Sequence, residues 1–239
     1  MDGEMMKYTK ILIGRIGCSV VSLLMAVTFL VGCSAKEESD VTQTTENTKT
    51  ETIITGSGAS SADLYCLEFT TFSGAFVEDG KNEKVENVAA ILVENRSESF
   101  LDRATITYKY GDKDAVFLLT GLPAGKKCWV MEQNKLVLDG KHSFEFVKCV
   151  TAFKEDVTLV TDELTLVNED NAITVSNISG KKLSNVCVYY KNTLDDGNYF
   201  GGITYMINFD SMEPGDSFTK ESAHFSDSSK VVRYSYQAE

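Results

Sequence analysis

The chain has little of what most catalytic or cofactor-binding proteins use. Its 239 residues hold two histidines, one tryptophan and two prolines, and 35 Asp and Glu stand against 23 Lys and Arg. Two histidines leave little material for a histidine-based metal centre or acid–base relay. The shortage of basic residues sets the chain against nucleic-acid phosphates and anionic headgroups, and no local basic patch offsets it. Nucleotide loops are missing too: Gly56-Ser57-Gly58 follows no strand and precedes no Walker lysine. There is no Gly-x-Ser-x-Gly elbow, and long helix-period patterns are few.

What the chain does have begins with Lys7, Lys10 and Arg15, followed by an uncharged, largely apolar run over 16–31. Its length and composition are those of a secretory signal; a spanning helix needs about 20 apolar residues with basic flanks, whereas Ser34, Ala35, Lys36, Glu37 and Glu38 follow here. Leu30, Val31 and Gly32 immediately precede Cys33. This quartet resembles the lipobox of bacterial lipoproteins: an aliphatic at minus three, a small or aliphatic residue at minus two, a small one at minus one, then cysteine. Cys18 also follows a glycine but carries Arg15 at minus three, so Cys33 alone fits. The resemblance implies a diacylglyceryl thioether on Cys33, cleavage after Gly32, and residence on the extracytoplasmic face of the cell membrane. Two or more acyl chains anchor firmly where one does not.

Removing residues 1–32 takes away three basic and two acidic side chains, leaving 20 against 33 and a net charge near −13. Residues 34–62 are rich in Ser, Thr, Glu and Gly without an aromatic, which predicts a disordered stalk spanning on the order of 30 Å. Beyond it the abundance of Val, Ile, Thr, Tyr and Phe predicts an all-β fold.

An internal repeat organises that part. At an offset of 82, residues 90–109 align with 172–191 with eight identities in 20 columns, among them Asn95 with Asn177, Ser97 with Ser179, Tyr108 with Tyr190 and Lys109 with Lys191. Leu122-Pro123-Ala124-Gly125-Lys126 then matches Met212-Glu213-Pro214-Gly215-Asp216 at an offset of 90. A duplication explains this far better than chance and predicts two copies of one fold. Within each copy a short strand leads to a turn at Asn95 or Asn177, then to a strand with Ala104, Ile106 and Tyr108, or Val186, Val188 and Tyr190, on one face. The predicted architecture is two tandem antiparallel β-sandwiches over 63–155 and 156–239. The Asn, Ser and following Leu ahead of an alternating strand resemble the FxLYD-type immunoglobulin-like domains of bacterial envelope lipoproteins. That resemblance implies a fold and leaves activity open.

Candidate sites are few. The second copy carries an insertion, 195–202, in which Asp195, Asp196, Asn198, Tyr199 and Phe200 form a candidate partner-binding loop, since loops carry recognition and aromatics are enriched at interfaces; the alternative is that both rings tuck beneath it. Asp195-Asp196-Gly197-Asn198 lacks the rest of a calcium loop. Of the exported cysteines, Cys66, Cys128, Cys149 and Cys187, the pair Cys128 and Cys149 is the candidate disulfide, with thiols throughout the alternative. His142 and His224 read as solvated loop residues and Trp129 as a strand residue. Asn95-Arg96-Ser97 and Asn177-Ile178-Ser179 match glycosylation sequons but read as turns. The expectation is a non-enzymatic envelope lipoprotein, without cofactor or metal, that binds an envelope protein or glycan and no nucleic acid. A solute-binding lipoprotein of a transporter would need a longer α/β chain around a cleft; a cell-envelope hydrolase would need a catalytic pair that nothing singles out among the carboxylates.

Overall fold

A computed structural model describes residues 63–81, 83–169 and 171–239. The signal and lipidation residues Leu30, Val31, Gly32 and Cys33, and the stalk, lie outside the described residues. No helix occurs in the described chain, and no described helix is long and apolar enough to cross a membrane.

The first copy supplies β1 (Leu64–Phe76), β2 (Glu83–Asn95), β3 (Phe100–Tyr110), β4 (Lys113–Leu122), β5 (Lys127–Met131) and β6 (Phe144–Lys154). The second supplies β7 (Leu164–Glu169), β8 (Ala172–Asn177), β9 (Leu183–Thr193), β10 (Tyr199–Asn208), β11 (Ser211–Met212), β12 (Ser217–Glu221) and β13 (Ser229–Ala238). In the first copy, β1-β2-β5 faces β4-β3-β6. In the second, β12-β8-β7 faces the group in which β9 pairs with β10, β11 and β13. All pairings within a copy are antiparallel. The all-β sandwich expected from composition and alternation is what the chain forms.

Periodicity decides which faces are covered. Ala104, Ile106 and Tyr108 point into a first core with Ile91, Phe117, Leu119 and Val130, and Val186, Val188 and Tyr190 point into a second with Ile173, Val175 and Phe209. β8 alternates, its outer Thr174 and Ser176 pairing hydroxyl to hydroxyl with Thr219 and Ser217 at 2.7 and 2.8 Å. β2 does not alternate. Val88 to Val93 are all buried, because a third cluster of Phe72, Phe76, Val88, Ala90 and Met131 covers the outer face as well.

The repeated asparagine is a buried node, reproduced bond for bond. The Asn95 Nδ2 donates to the Ser99 and Leu122 carbonyls, each at 2.9 Å, while its Oδ1 accepts from the Ser97 N–H and hydroxyl at 3.1 and 2.7 Å. Asn177 donates to the Lys181 and Met212 carbonyls at 2.8 and 3.0 Å and accepts from the Ser179 N–H and hydroxyl at 2.9 and 2.7 Å. Gly125 and Gly215, both with positive φ, each donate a backbone N–H to the asparagine's own carbonyl, at 2.7 and 3.0 Å. Each node ties the end of a strand in one sheet to the loop that crosses to the other. Both asparagines are wholly buried, so the sequon matches are turns.

The copies are not merely strung together. β5 of the first pairs with β10 of the second in parallel, Cys128 opposite Tyr199 and Trp129 opposite Phe200, which makes one seven-stranded sheet of strands from both.

Candidate functional site at the joint between the copies

The densest chemistry among the described residues lies at this joint. The backbone of β10 passes so close to β4 that a Cβ on Gly202 would run into the Leu118 carbonyl oxygen. Gly201, at φ +87°, would carry a Cβ 2.6 Å from the Val77 side chain. Only glycines fit both positions. Thr204 Oγ1 donates to the Thr120 carbonyl at 2.7 Å, and Thr120 Oγ1 lies 3.2 Å from the Gly202 carbonyl, completing the crossing.

Beneath the two glycines lies Lys191, with no exposed surface. Its Nζ donates to the carbonyls of Gly201, Gly202 and Ile203 at 2.9, 2.9 and 2.7 Å, which commits all three ammonium protons. Burial holds its pKa below the usual lysine range, opposed by Cys128 and by the carboxylate of Glu78. Glu78, from the β1–β2 connection, accepts from the Met131 N–H at 2.8 Å and from the Gly202 N–H at 2.7 Å, so one carboxylate holds backbone of both copies. Burial pushes its pKa up, against those hydrogen bonds and the attraction of Lys191. The Cys128 thiol donates to the Gly201 carbonyl at 3.3 Å, and burial pushes its pKa up to about 12.

The thiol, the ammonium and the carboxylate are thus all engaged in holding backbone at the joint. The cavity beside Glu78, lined by Leu118, Met131, Gln133 and Ile203, measures about 40 Å³, room for roughly one water. A wider surface hollow of about 560 Å³ is lined by Lys113, Glu132, Lys135 and Val137 among others. Three of its ionisable residues, Asp114, Glu132 and Lys135, are engaged as well. Buried Glu132 accepts from the N–H groups of Val116, Asn134 and Leu136 at 3.0, 2.8 and 2.8 Å, and Lys135 pairs with Glu83 at 2.6 Å.

The insertion proposed as a binding loop is divided between solvent and joint. Asp195 and Asp196 are exposed, and Asn198 closes a local turn, its N–H donating to Asp196 Oδ1 at 2.9 Å and its carbonyl accepting from Leu194 N–H at 2.9 Å. Tyr199 is buried in the first core and Phe200 packs on Phe72 with ring centroids 5.2 Å apart. The rings face inward because pairing with β5 turns this stretch into a strand. The Cys128–Cys149 disulfide is not formed. Cys128 sits on β5 with its thiol on the Gly201 carbonyl, Cys149 lies opposite Ile106 on β6, and all four described cysteines are thiols. Cys187 is partly exposed.

Trp129 is half-buried on the β5 face opposite Cys128. His142 is exposed, edge-on to Tyr110 at 5.5 Å, while His224, in a turn and partly exposed, stacks on Tyr205 at 4.6 Å. Among the described residues no group of three or more His, Cys, Asp or Glu is placed to hold a metal.

Sequence reasoning missed Glu78 and the burial of Lys191. The repeat aligns Lys191 with Lys109, which is half-exposed and pairs with Asp114 at 2.8 Å. Only the covering first copy makes the two lysines different. The signal available was Gly201-Gly202, two glycines together inside a strand, which mark close backbone approach.

No protein-family model matches the chain, and no curated protein matches it in sequence.

Proposed function

We propose that the protein is a lipid-anchored lipoprotein of the extracytoplasmic face of the cell membrane, and that its paired immunoglobulin-like sandwiches act as a non-enzymatic binding or accessory module for an envelope protein or glycan. The observation that carries this reading is Leu30-Val31-Gly32-Cys33 at the end of an uncharged apolar run behind a basic start. The fold supports the second half. The deeply buried ionisable groups, Lys191 and Glu132, are committed to backbone partners, so they serve architecture. A two-copy β body joined through one sheet, on a lipid anchor, suits presentation of a surface to a neighbour.

The test is Cys33→Ala expressed in a bacterial host with radiolabelled palmitate. The proposal expects label on the wild-type chain and none on the variant, which stays unprocessed; equal labelling of both would refute the anchor.

A further inference from the structure

β6 and β13 hold one position in the two copies and carry the same bulge. Val147 is the extra residue where β6 passes from Tyr108 to Thr107 of β3, and Val232 is the extra residue where β13 passes from Tyr190 to Tyr189 of β9. The bulge does not close the outer edge of such a strand. Two residues beyond it, Tyr234 donates its N–H to the Thr158 carbonyl at 2.8 Å, an antiparallel bridge on the side away from β9. Cys149 is the counterpart of Tyr234, since their partners Ile106 and Val188 fall in one column of the repeat. Among the described residues β6 pairs with β3 alone, and Phe146, Val147 and Val150 are 40%, 47% and 61% exposed along it.

The charges on β6 select what fits beside it. In steps of its ladder with β3 the strand runs 144, 145, 146, then 148 to 154, so Glu145, Lys148, Val150 and Lys154 share the outer face while Phe146 and Phe153 face the core side. Laid antiparallel to itself about Val150, the strand sets Glu145 against Lys154 on the outer face and Phe146 against Phe153 on the inner one, each pair occurring twice. Opposite charges directly across a seam stabilise it and like charges destabilise it. A shift of two steps one way sets Lys148 against Lys154, and two steps the other way leaves Glu145 against Ala152. A shift of one step puts the two faces out of match. Lys154 holds Asp102 of its own chain at 2.8 Å and has donors left for a second carboxylate.

We propose that β6 pairs antiparallel with β6 of a second copy of this chain, with Val150 on the two-fold axis, so that β4-β3-β6 and its copy form one six-stranded sheet. The partner is a second copy because the strand is its own complement, with opposite charges near its two ends and an aromatic one step inboard of each. Such an isologous seam closes on itself and stops at two chains. With the Cys149 N–H directed outward, as that of Tyr234 is, Cys149 and Thr151 make the hydrogen-bonded pairs. Val150 then meets its copy in a non-hydrogen-bonded pair, with Cα atoms about 4.5 Å apart.

The test is disulfide cross-linking of Val150→Cys in the full mature chain, with Cys187→Ser to remove a partly exposed native thiol. Val150 is exposed, so the change leaves the core intact, and its Cα separation across the axis lies within disulfide reach. Lys148→Cys in the same background is the control, because its two copies stand about 13 Å apart along the strands. The inference expects Val150→Cys to become a linked dimer under mild oxidation at least tenfold faster than Lys148→Cys. By sedimentation, Glu145→Lys should weaken dimerisation of the otherwise native chain at least fivefold, and Glu145→Lys/Lys154→Glu should restore it. Equal cross-linking of the two cysteine variants would overturn the inference, and so would a wild-type chain that sediments as a monomer at every concentration. A Glu145→Lys chain that dimerises as tightly as wild type would overturn the register. None of these results depends on whether Cys33 is lipidated.

Discussion

Lys191 and Lys109 occupy the same position of the internal repeat, and their replacement by alanine should have very different consequences. Lys191→Ala removes an ammonium with no exposed surface, strands the carbonyls of Gly201, Gly202 and Ile203 in the joint, and deprives the Glu78 carboxylate of its buried counter-charge. Breaking a buried pair from one side costs about 3–5 kcal/mol. Against a total stability of about 5–15 kcal/mol, that is a large fraction. Lys109→Ala removes a half-exposed pair with Asp114, worth about 0.2–1 kcal/mol. Urea unfolding of the soluble body, followed by tryptophan fluorescence, measures both, with Trp129 on β5 reporting close to the joint. A Lys191→Ala loss of stability no greater than that of Lys109→Ala would refute the assignment of Lys191 as the buried tie between the copies.

The pH dependence follows from the same pair. Glu78 has a folded pKa above its unfolded value, so between the two the folded state binds more protons and the contribution of Glu78 to stability grows as the pH falls through that window. Wild type should therefore gain stability relative to Glu78→Gln on acidification from neutral pH, and a relative loss would contradict the assignment. Gly202→Ala should destabilise by on the order of 3 kcal/mol through its clash with the Leu118 carbonyl, while Gly180→Ala, whose Cβ would meet open space, should change stability by less than about 0.5 kcal/mol in the same denaturant assay. Asn95→Ala and Asn177→Ala should each cost about 3 kcal/mol, because each leaves two carbonyls and a seryl turn without partners; markedly unequal losses would argue against equivalent nodes. Iodoacetamide on the native protein should label Cys187 well before Cys66 or Cys128, read by peptide mass spectrometry, since the latter two are buried and their thiols are pushed up to about 11 and about 12.

The fold was legible where local pattern decides it. Alternation over Ala104–Tyr108 and Val186–Tyr190 marks the faces that became cores, and the repeated Asn and Ser mark the nodes, because strand period and turn chemistry act over a few residues. The unbroken run Val88-Ala89-Ala90-Ile91-Leu92-Val93, buried on both faces where Ala172–Asn177 alternates, went unread, because its second cover comes from distant Phe72 and Met131. The joint was not legible. Tyr199 and Phe200 look like a recognition loop in sequence, and they become strand because β5, some 70 residues earlier, offers an edge to pair with. Nothing in the repeat distinguishes Lys191 from Lys109, so its burial went unread. Both gaps have one cause. Placement of the second copy against the first is a long-range property that no window of the chain encodes. Cys128 was offered a disulfide on the same footing, and its side chain instead meets the Gly201 carbonyl of the other copy.

Mass spectrometry of the N-terminal peptide of the protein recovered from membranes tests the proposed function most directly. The account expects a chain that begins at Cys33 and carries diacylglycerol on its sulfur. An unmodified chain that retains residues 1–32 and fractionates with the cytosol would contradict it.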